Sequence, residues 1–158
     1  MIETSIAGVL RQQLDTKTDE RGMLVELYRS DWGGVVPAMV YHSITLPGVE
    51  RGPHEHRQQT DVLVFPGPGY FKLRLADNRR ESPTHGQELA AVVGGYNPSV
   101  WIIPPGVIHG YMNTGMSPAV TFNFPDRLYA GLHKQESVDE IRHEDEGLTM
   151  ASERWVVT

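Results

Sequence analysis

Two histidines two residues apart, His54 and His56, lie between an arginine and a carboxylate in the stretch Arg51-Gly-Pro-His-Glu-His-Arg-Gln-Gln-Thr-Asp61. Imidazole is the side chain whose ordinary pKa sits nearest neutrality, and it is also the commonest metal ligand. In an extended strand residues i and i+2 share a face, so the two rings point the same way. That arrangement suits either a metal site or a polar pocket with a catalytic base. Further along, Trp101-Ile-Ile-Pro-Pro-Gly-Val-Ile-His-Gly-Tyr-Met-Asn113 adds a third imidazole. Pro104, Pro105 and Gly106 break an apolar strand, and His109 stands just beyond the turn, where the mouth of a barrel presents it to the same pocket.

The elements that must hold these groups are short and extended. Sixteen glycines and eleven prolines, spread along 158 residues, leave no sustained 3.6-residue apolar period before Glu136. This is the texture of an all-β sandwich or barrel. Strands are expected over residues 6–14, around Arg21 to Tyr28, within residues 35–46, from Asp61 to Phe65, from Tyr70 to Leu75, and over residues 89–93, 100–103 and 119–124. Pro66-Gly-Pro-Gly69 is a strong turn signal. In Ser137-Val-Asp-Glu140 a serine followed three residues later by glutamate predicts the start of a short C-terminal helix. The length fits one domain, residues 1–158, with no linker or repeat.

Composition narrows the chemistry. There is no cysteine, which excludes disulfides, thiolate nucleophiles and sulfur-ligated metals. A net charge of −6 argues against a nucleic-acid partner. No apolar run approaches the ~20 residues of a membrane helix. Residues 1–20 do not read as a leader, so a cytoplasmic protein without a membrane partner is the expectation.

The two histidine stretches, HxH-x4-D and PxG-x2-H-x3-N, resemble the halves of the cupin double motif, with Asp61 where cupins usually carry glutamate. More of the chain resembles the dTDP-4-dehydrorhamnose 3,5-epimerase family, a cupin-fold group acting on nucleotide-linked 4-keto-6-deoxy sugars. The resemblance runs through Ile6-Ala-Gly-Val9, Asp19-Glu-Arg-Gly-x3-Glu26, Pro47-Gly-Val-Glu-Arg-Gly-Pro-His54, Glu81-Ser-Pro-Thr-His-Gly86, Ile103-Pro-Pro-Gly-Val-Ile-His-Gly110 and Ile141-Arg-His-Glu-Asp145. It implies a double-stranded β-helix (jelly-roll) barrel and a homodimer with exchanged N-terminal strands. It also implies a nucleotide-diphosphate sugar as ligand and no required cofactor.

Carried over position by position, the resemblance makes His54 the general base and Asp145 its orienting carboxylate. Arg21, Glu26, Arg51, His109 and Glu136 fall at substrate-contacting positions. The family's lysine after the catalytic histidine has no counterpart, and Lys72 on the next strand is the substitute. Counting back from Tyr129 puts Asn123 where the family has its acid tyrosine, which leaves Tyr129 or water as the second proton source. His56 stands where the family has glutamine, the mark of a divergent branch. The physical logic is that a proton beside a ketone is acidic because the resulting anion spreads onto oxygen, so a base near neutrality with an enolate-stabilising donor removes it.

Two rival readings follow from the same residues. His54, His56, Asp61 and His109 make a three-histidine, one-carboxylate set suited to Fe(II), Mn, Ni or Zn, and so to a metal-dependent dioxygenase or isomerase. The missing tyrosine motivates a sugar-binding cupin without turnover.

Overall fold

The computed structural model describes residues 1–32 and 34–156. The strands are β1 (Ile2–Glu3), β2 (Leu10–Gln13), β3 (Thr16–Asp19), β4 (Gly22–Val25), β5 (Tyr41–Thr45), β6 (Glu50–Glu55), β7 (Asp61–Phe65), β8 (Tyr70–Asp77), β9 (Glu88–Gly94), β10 (Ser99–Ile103), β11 (Val107–Asn113), β12 (Ala119–Asn123) and β13 (Ile141–Arg142). They form a six-stranded sheet in the order β1-β2-β10-β7-β12-β5 and a five-stranded sheet in the order β13-β6-β11-β8-β9. The β3–β4 hairpin is a separate two-stranded sheet. All pairings between strands are antiparallel, as expected for a cupin-type jelly roll.

The period-2 alternation decides what each sheet buries. On β7, Leu63 and Phe65 join Phe71, Leu73, Leu75, Trp101, Ile103, Val107 and Tyr111 in the core cluster, while Val62 and Val64 belong to another. The second cluster is covered by the segment carrying Val25, Leu27, Trp32 and Val35. Full burial of each such Leu, Val or Phe contributes about 1.5–3 kcal/mol. The five-stranded sheet is covered in turn by Met150, Trp155 and Val156, which pack on Ala76 and Ile108. Among the described residues no helix is long and apolar enough to cross a membrane.

Two expectations about elements are corrected, and a third is met. The opening strand is shorter than residues 6–14, because Ile6 to Val9 close a turn with Val9 N–H on the Ile6 carbonyl at 3.0 Å and Gly8 at φ 75°. Residues 35–46, expected to give one or two strands, give one, β5. The segment after Ser137 forms no α-helix: β13 comes first, and the C-terminal helical segment is a single 3-10 turn, His143–Glu146. Asp139 is committed elsewhere, accepting the backbone N–H groups of Arg57, Gln58 and Gln59 at 3.0, 2.9 and 2.8 Å.

Candidate active site

The interior of the barrel changes from apolar to polar at Tyr111, whose hydroxyl lies 3.0 Å from Thr121 Oγ1. Beyond that pair opens a cavity of about 1600 Å³, lined among others by Tyr41, Arg51, His54, His56, Asp61, His109, Asn123, Tyr129, Glu136 and Glu140. This exceeds the ~300–1,000 Å³ of a cleft for a drug-sized ligand. The cavity therefore has room for a ligand of several rings.

Strand parity aims the polar groups inward. Asp61 shares its face of β7 with Leu63 and Phe65, and His109 shares its face of β11 with Val107 and Tyr111. His109 pairs across the ladder with His54 of β6, and their ring centroids lie 4.4 Å apart. The close approach of β6 to β11 depends on Gly52: at φ 78°, a Cβ there would sit 2.7 Å from the His109 carbonyl oxygen. His56 lies just past the end of β6, and its ring centroid is 5.6 Å from that of His54.

The four groups are tightly coupled. His56 Nε2 and His109 Nε2 each lie 3.1 Å from Asp61 Oδ2, and the carboxylate is only 1% exposed. His109 Nδ1 donates to the Val107 carbonyl at 3.0 Å, and His56 Nδ1 donates to the Asp139 carbonyl. Gln59 donates to Asp61 Oδ1 at 2.8 Å. Apart from this contact with Asp61, the buried His109 Nε2 has no hydrogen-bond partner among the described residues. Burial holds the His54 pKa well below the usual 6.5, and the neighbouring His109 adds to the effect, so His54 is neutral at pH 7. Burial opposes charge on His56 too, but the hydrogen bond and negative charge of Asp61 prevail and raise it to about 9. For Asp61 burial is likewise outweighed, by His109 and His56, and its pKa falls well below the carboxylate range. Ligand atoms of His54, His56, Asp61 and His109 all lie within 4.8 Å of one another, a set able to hold a metal ion.

The residues singled out from the sequence divide into two groups. His54, His56, Asp61, His109, Arg51, Tyr129 and Glu136 line the cavity. Arg51 is fixed by Nε donating to Thr45 Oγ1 at 2.9 Å. Tyr129 is on the rim, 53% exposed. Asp145 does not back His54: its side chain is 69% exposed and pairs with Arg142 at 3.4 Å. The carboxylate facing His54 Nδ1 is Glu140, at 3.9 Å. Lys72 is exposed on β8 and lies outside the cavity, because Phe71, Leu73 and Leu75 take the inward face. Arg21 and Glu26 are also outside it, held to Asp19 and Arg29 at the exposed β3–β4 hairpin and the segment that follows.

Sequence reasoning missed two cavity residues. Tyr41 of β5 lies directly across from Asn123 of β12, and Asn123 Nδ2 donates to its hydroxyl at 2.9 Å. Surrounding protein and then the negative charge of Asp61 push the Tyr41 pKa up to about 12, against the Asn123 hydrogen bond. Its only signal in the sequence is shared parity with Ser43 and Thr45. Glu140 gave none, since it lies in an irregular segment.

Comparison with known proteins gives consistent matches. The profile of the dTDP-4-dehydrorhamnose 3,5-epimerase family matches residues 3–156. The chain is 38% identical over 128 residues to the probable low-salt glycan biosynthesis epimerase Agl13 of Haloferax volcanii, covering 79% of this chain and 81% of that protein. It is 34% identical over 125 residues to the spore coat polysaccharide biosynthesis protein SpsL of Bacillus subtilis, covering 78% and 82%. Among solved structures, a dTDP sugar isomerase from Desulfovibrio desulfuricans G20 superposes with a TM-score of 0.78 at 26% identity, over 90% of this chain and 87% of that one. ChmJ, a 3'-monoepimerase from Streptomyces bikiniensis solved with dTDP-quinovose, shares the fold with a TM-score of 0.78 at 18% identity, over 100% and 82%.

Proposed function

The chain belongs to the dTDP-4-dehydrorhamnose 3,5-epimerase family, a family of dTDP-sugar epimerases, and we propose that its cavity inverts a centre beside the ketone of a nucleotide-linked 4-keto-6-deoxy sugar. The observation that carries this reading is His54, a neutral imidazole set in the cavity wall with Glu140 beside Nδ1. A neutral ring accepts the proton adjacent to the ketone, and the nearby carboxylate favours the imidazolium that results. Inversion needs a second donor on the opposite face of the sugar. The Tyr41 hydroxyl is the better candidate than Tyr129, since it is held in the cavity by the Asn123 amide. Arg51 and Glu136 are the cavity residues for the substrate's polar groups, and a guanidinium suits a diphosphate.

The reading includes a homodimer. Among the described residues the β3–β4 hairpin pairs with no other strand, β3 is exposed throughout, and Met23 and Leu24 are 51% and 62% exposed. Exchanged between two copies, the hairpin would carry Arg21, and the segment after it Glu26, toward the other copy's cavity, a role neither plays in its own. Residues 1–158 act in this reading as one domain, in the cytoplasm where nucleoside triphosphates feed nucleotide-sugar synthesis.

The test is incubation with a dTDP-4-keto-6-deoxy sugar in deuterium oxide. Deuterium is expected at a carbon adjacent to the ketone, with loss of the signal in His54→Asn. A wild-type protein that binds the sugar without any exchange would establish the non-catalytic alternative.

A further inference from the structure

Taking His54 as the base of the epimerase reading, on which this rests, we infer that Asp139 is a positioning residue: it clamps the segment entering β13 onto the turn after β6, and so holds Glu140 beside His54. The carboxylate of Asp139 accepts three successive backbone N–H groups, those of Arg57, Gln58 and Gln59, at 3.0, 2.9 and 2.8 Å. Successive N–H groups converging on one anion form a nest, and each such charged hydrogen bond is roughly twice as strong as a neutral one. Burial opposes the charge, but the N–H groups of Gln58, Arg57 and Gln59 outweigh it and hold the Asp139 pKa below 3.8. The backbone of the same residue takes part as well, because its carbonyl accepts from His56 Nδ1. His56, raised to about 9, is charged at neutral pH and donates through Nε2 to Asp61 Oδ2 at 3.1 Å. A ring held at both nitrogens keeps one orientation.

Glu140 needs such a clamp. β13 runs antiparallel along β6 for two residues only, Ile141 opposite Glu55 and Arg142 opposite His54. So short a pairing, with no side chain fully buried, specifies its register weakly. On its C-terminal side His143 Nε2 meets Glu55 Oε1 at 3.0 Å. On its N-terminal side Leu132 to Val138 are all exposed, so burial anchors nothing there before Asp139. Glu140 sits between the nest and β13, and its carboxylate is 3.9 Å from His54 Nδ1. That is too long for a hydrogen bond, so the backbone on either side of Glu140 sets the distance. The nest fixes one of those sides to the turn that immediately follows the strand carrying His54.

Asp139→Ala, Asp139→Asn, Glu140→Gln and the double variant Asp139→Ala/Glu140→Gln are compared by deuterium exchange into a dTDP-4-keto-6-deoxy sugar, and by ¹⁵N NMR of the histidine rings without ligand. Circular dichroism verifies that each is folded. Asp139→Ala is expected to lower kcat by about 10-fold or more with little change in KM, since misplacing a group beside the base slows the chemical step. Asp139→Asn, whose amide oxygen still accepts N–H groups, should retain more of the rate. In the Glu140→Gln background Asp139→Ala should lower kcat by less than about twofold more, because the two residues act through one contact. Should Asp139→Ala fail to fold, Asp139→Asn carries the same comparison. A second loss in the double variant as large as in the single one overturns the inference and leaves Asp139 a purely structural residue, as does a folded Asp139→Ala protein with wild-type kcat. In the spectra Asp139→Ala should move the His54 ring nitrogens in the same direction as Glu140→Gln, and unmoved His54 signals overturn the inference. The spectra require no turnover and so separate the two readings. A wild-type protein without exchange removes the epimerase reading while the His54 shift preserves the clamp, and exchange in wild type with His54 unmoved by Asp139→Ala does the reverse.

Discussion

His109 stands directly across the β6–β11 ladder from His54, with ring centroids 4.4 Å apart. The pairing joins two motifs far apart in the chain and places a neutral imidazole next to the tightly held group of His56, Asp61 and His109. A ladder partner is fixed by backbone hydrogen bonds on both strands, so the two rings keep their relation without help from a flexible loop. Catalytic geometry held by rigid elements in this way is sensitive to substitutions at the ring itself.

His54→Asn is expected to lower kcat by about 10²–10⁴-fold, the usual contribution of a general base, with a smaller change in KM. Single-turnover NMR of the keto sugar, with circular dichroism to verify folding, measures it. A variant that keeps a tenth of the wild-type rate excludes His54 as the base.

Tyr41→Phe separates proton removal from proton return. The variant should still wash deuterium into the substrate while inversion slows by about 10²-fold or more. Tyr129→Phe, on the exposed rim, should change both rates only slightly. Equal loss of exchange and inversion in Tyr41→Phe would assign Tyr41 to substrate binding.

The carboxylate behind the base is tested by a pair of variants. Glu140→Gln should lower kcat, because Glu140 lies 3.9 Å from His54 Nδ1. Asp145→Asn should leave it nearly unchanged, since Asp145 is exposed and bound to Arg142. The opposite ranking would restore Asp145 to the role expected from its motif.

Asp77 predicts an acid limb in stability. Burial opposes its charge, but Arg79, Ser82 and Thr84 outweigh this and hold its pKa below the usual 3.8. A folded-state pKa below the unfolded one stabilises the fold above the unfolded value, and that stability is lost as pH falls through the folded value. Wild type should therefore weaken as pH drops below 3.8, and Asp77→Asn, less stable at pH 7, should lack that part of the slope. Urea unfolding at a series of pH values gives both curves.

Trp101 tests the core that carries the site. It is 1% exposed in the main cluster, and its indole nitrogen donates to Ser99 Oγ at 3.0 Å. Trp101→Ala should cost about 3–5 kcal/mol, read as a lowered urea midpoint. A loss well under 1 kcal/mol would mean that the cluster repacks.

Much of this was legible in the sequence because strand faces alternate with a period of exactly two residues per repeat, which requires only local knowledge. Leu63 and Phe65 face the core, so Asp61 must face it as well; Val107 and Tyr111 do, so His109 must. The β architecture and the meeting of His54, His56, Asp61 and His109 at one cavity follow from such patterns and from the glycines and prolines between them. The helix expected after Ser137 failed because its cap signal had no apolar period behind it, and Asp139 binds the Arg57 to Gln59 backbone instead. Nor does a sequence show which strands become neighbours. Tyr41 meets Asn123 because β5 pairs with β12, and Glu140 reaches His54 because the chain after Glu136 returns along the β6 edge. Chain alternation set which side chains point inward, whereas long-range pairing, chosen by the burial of both sheets together, decided which of them touch.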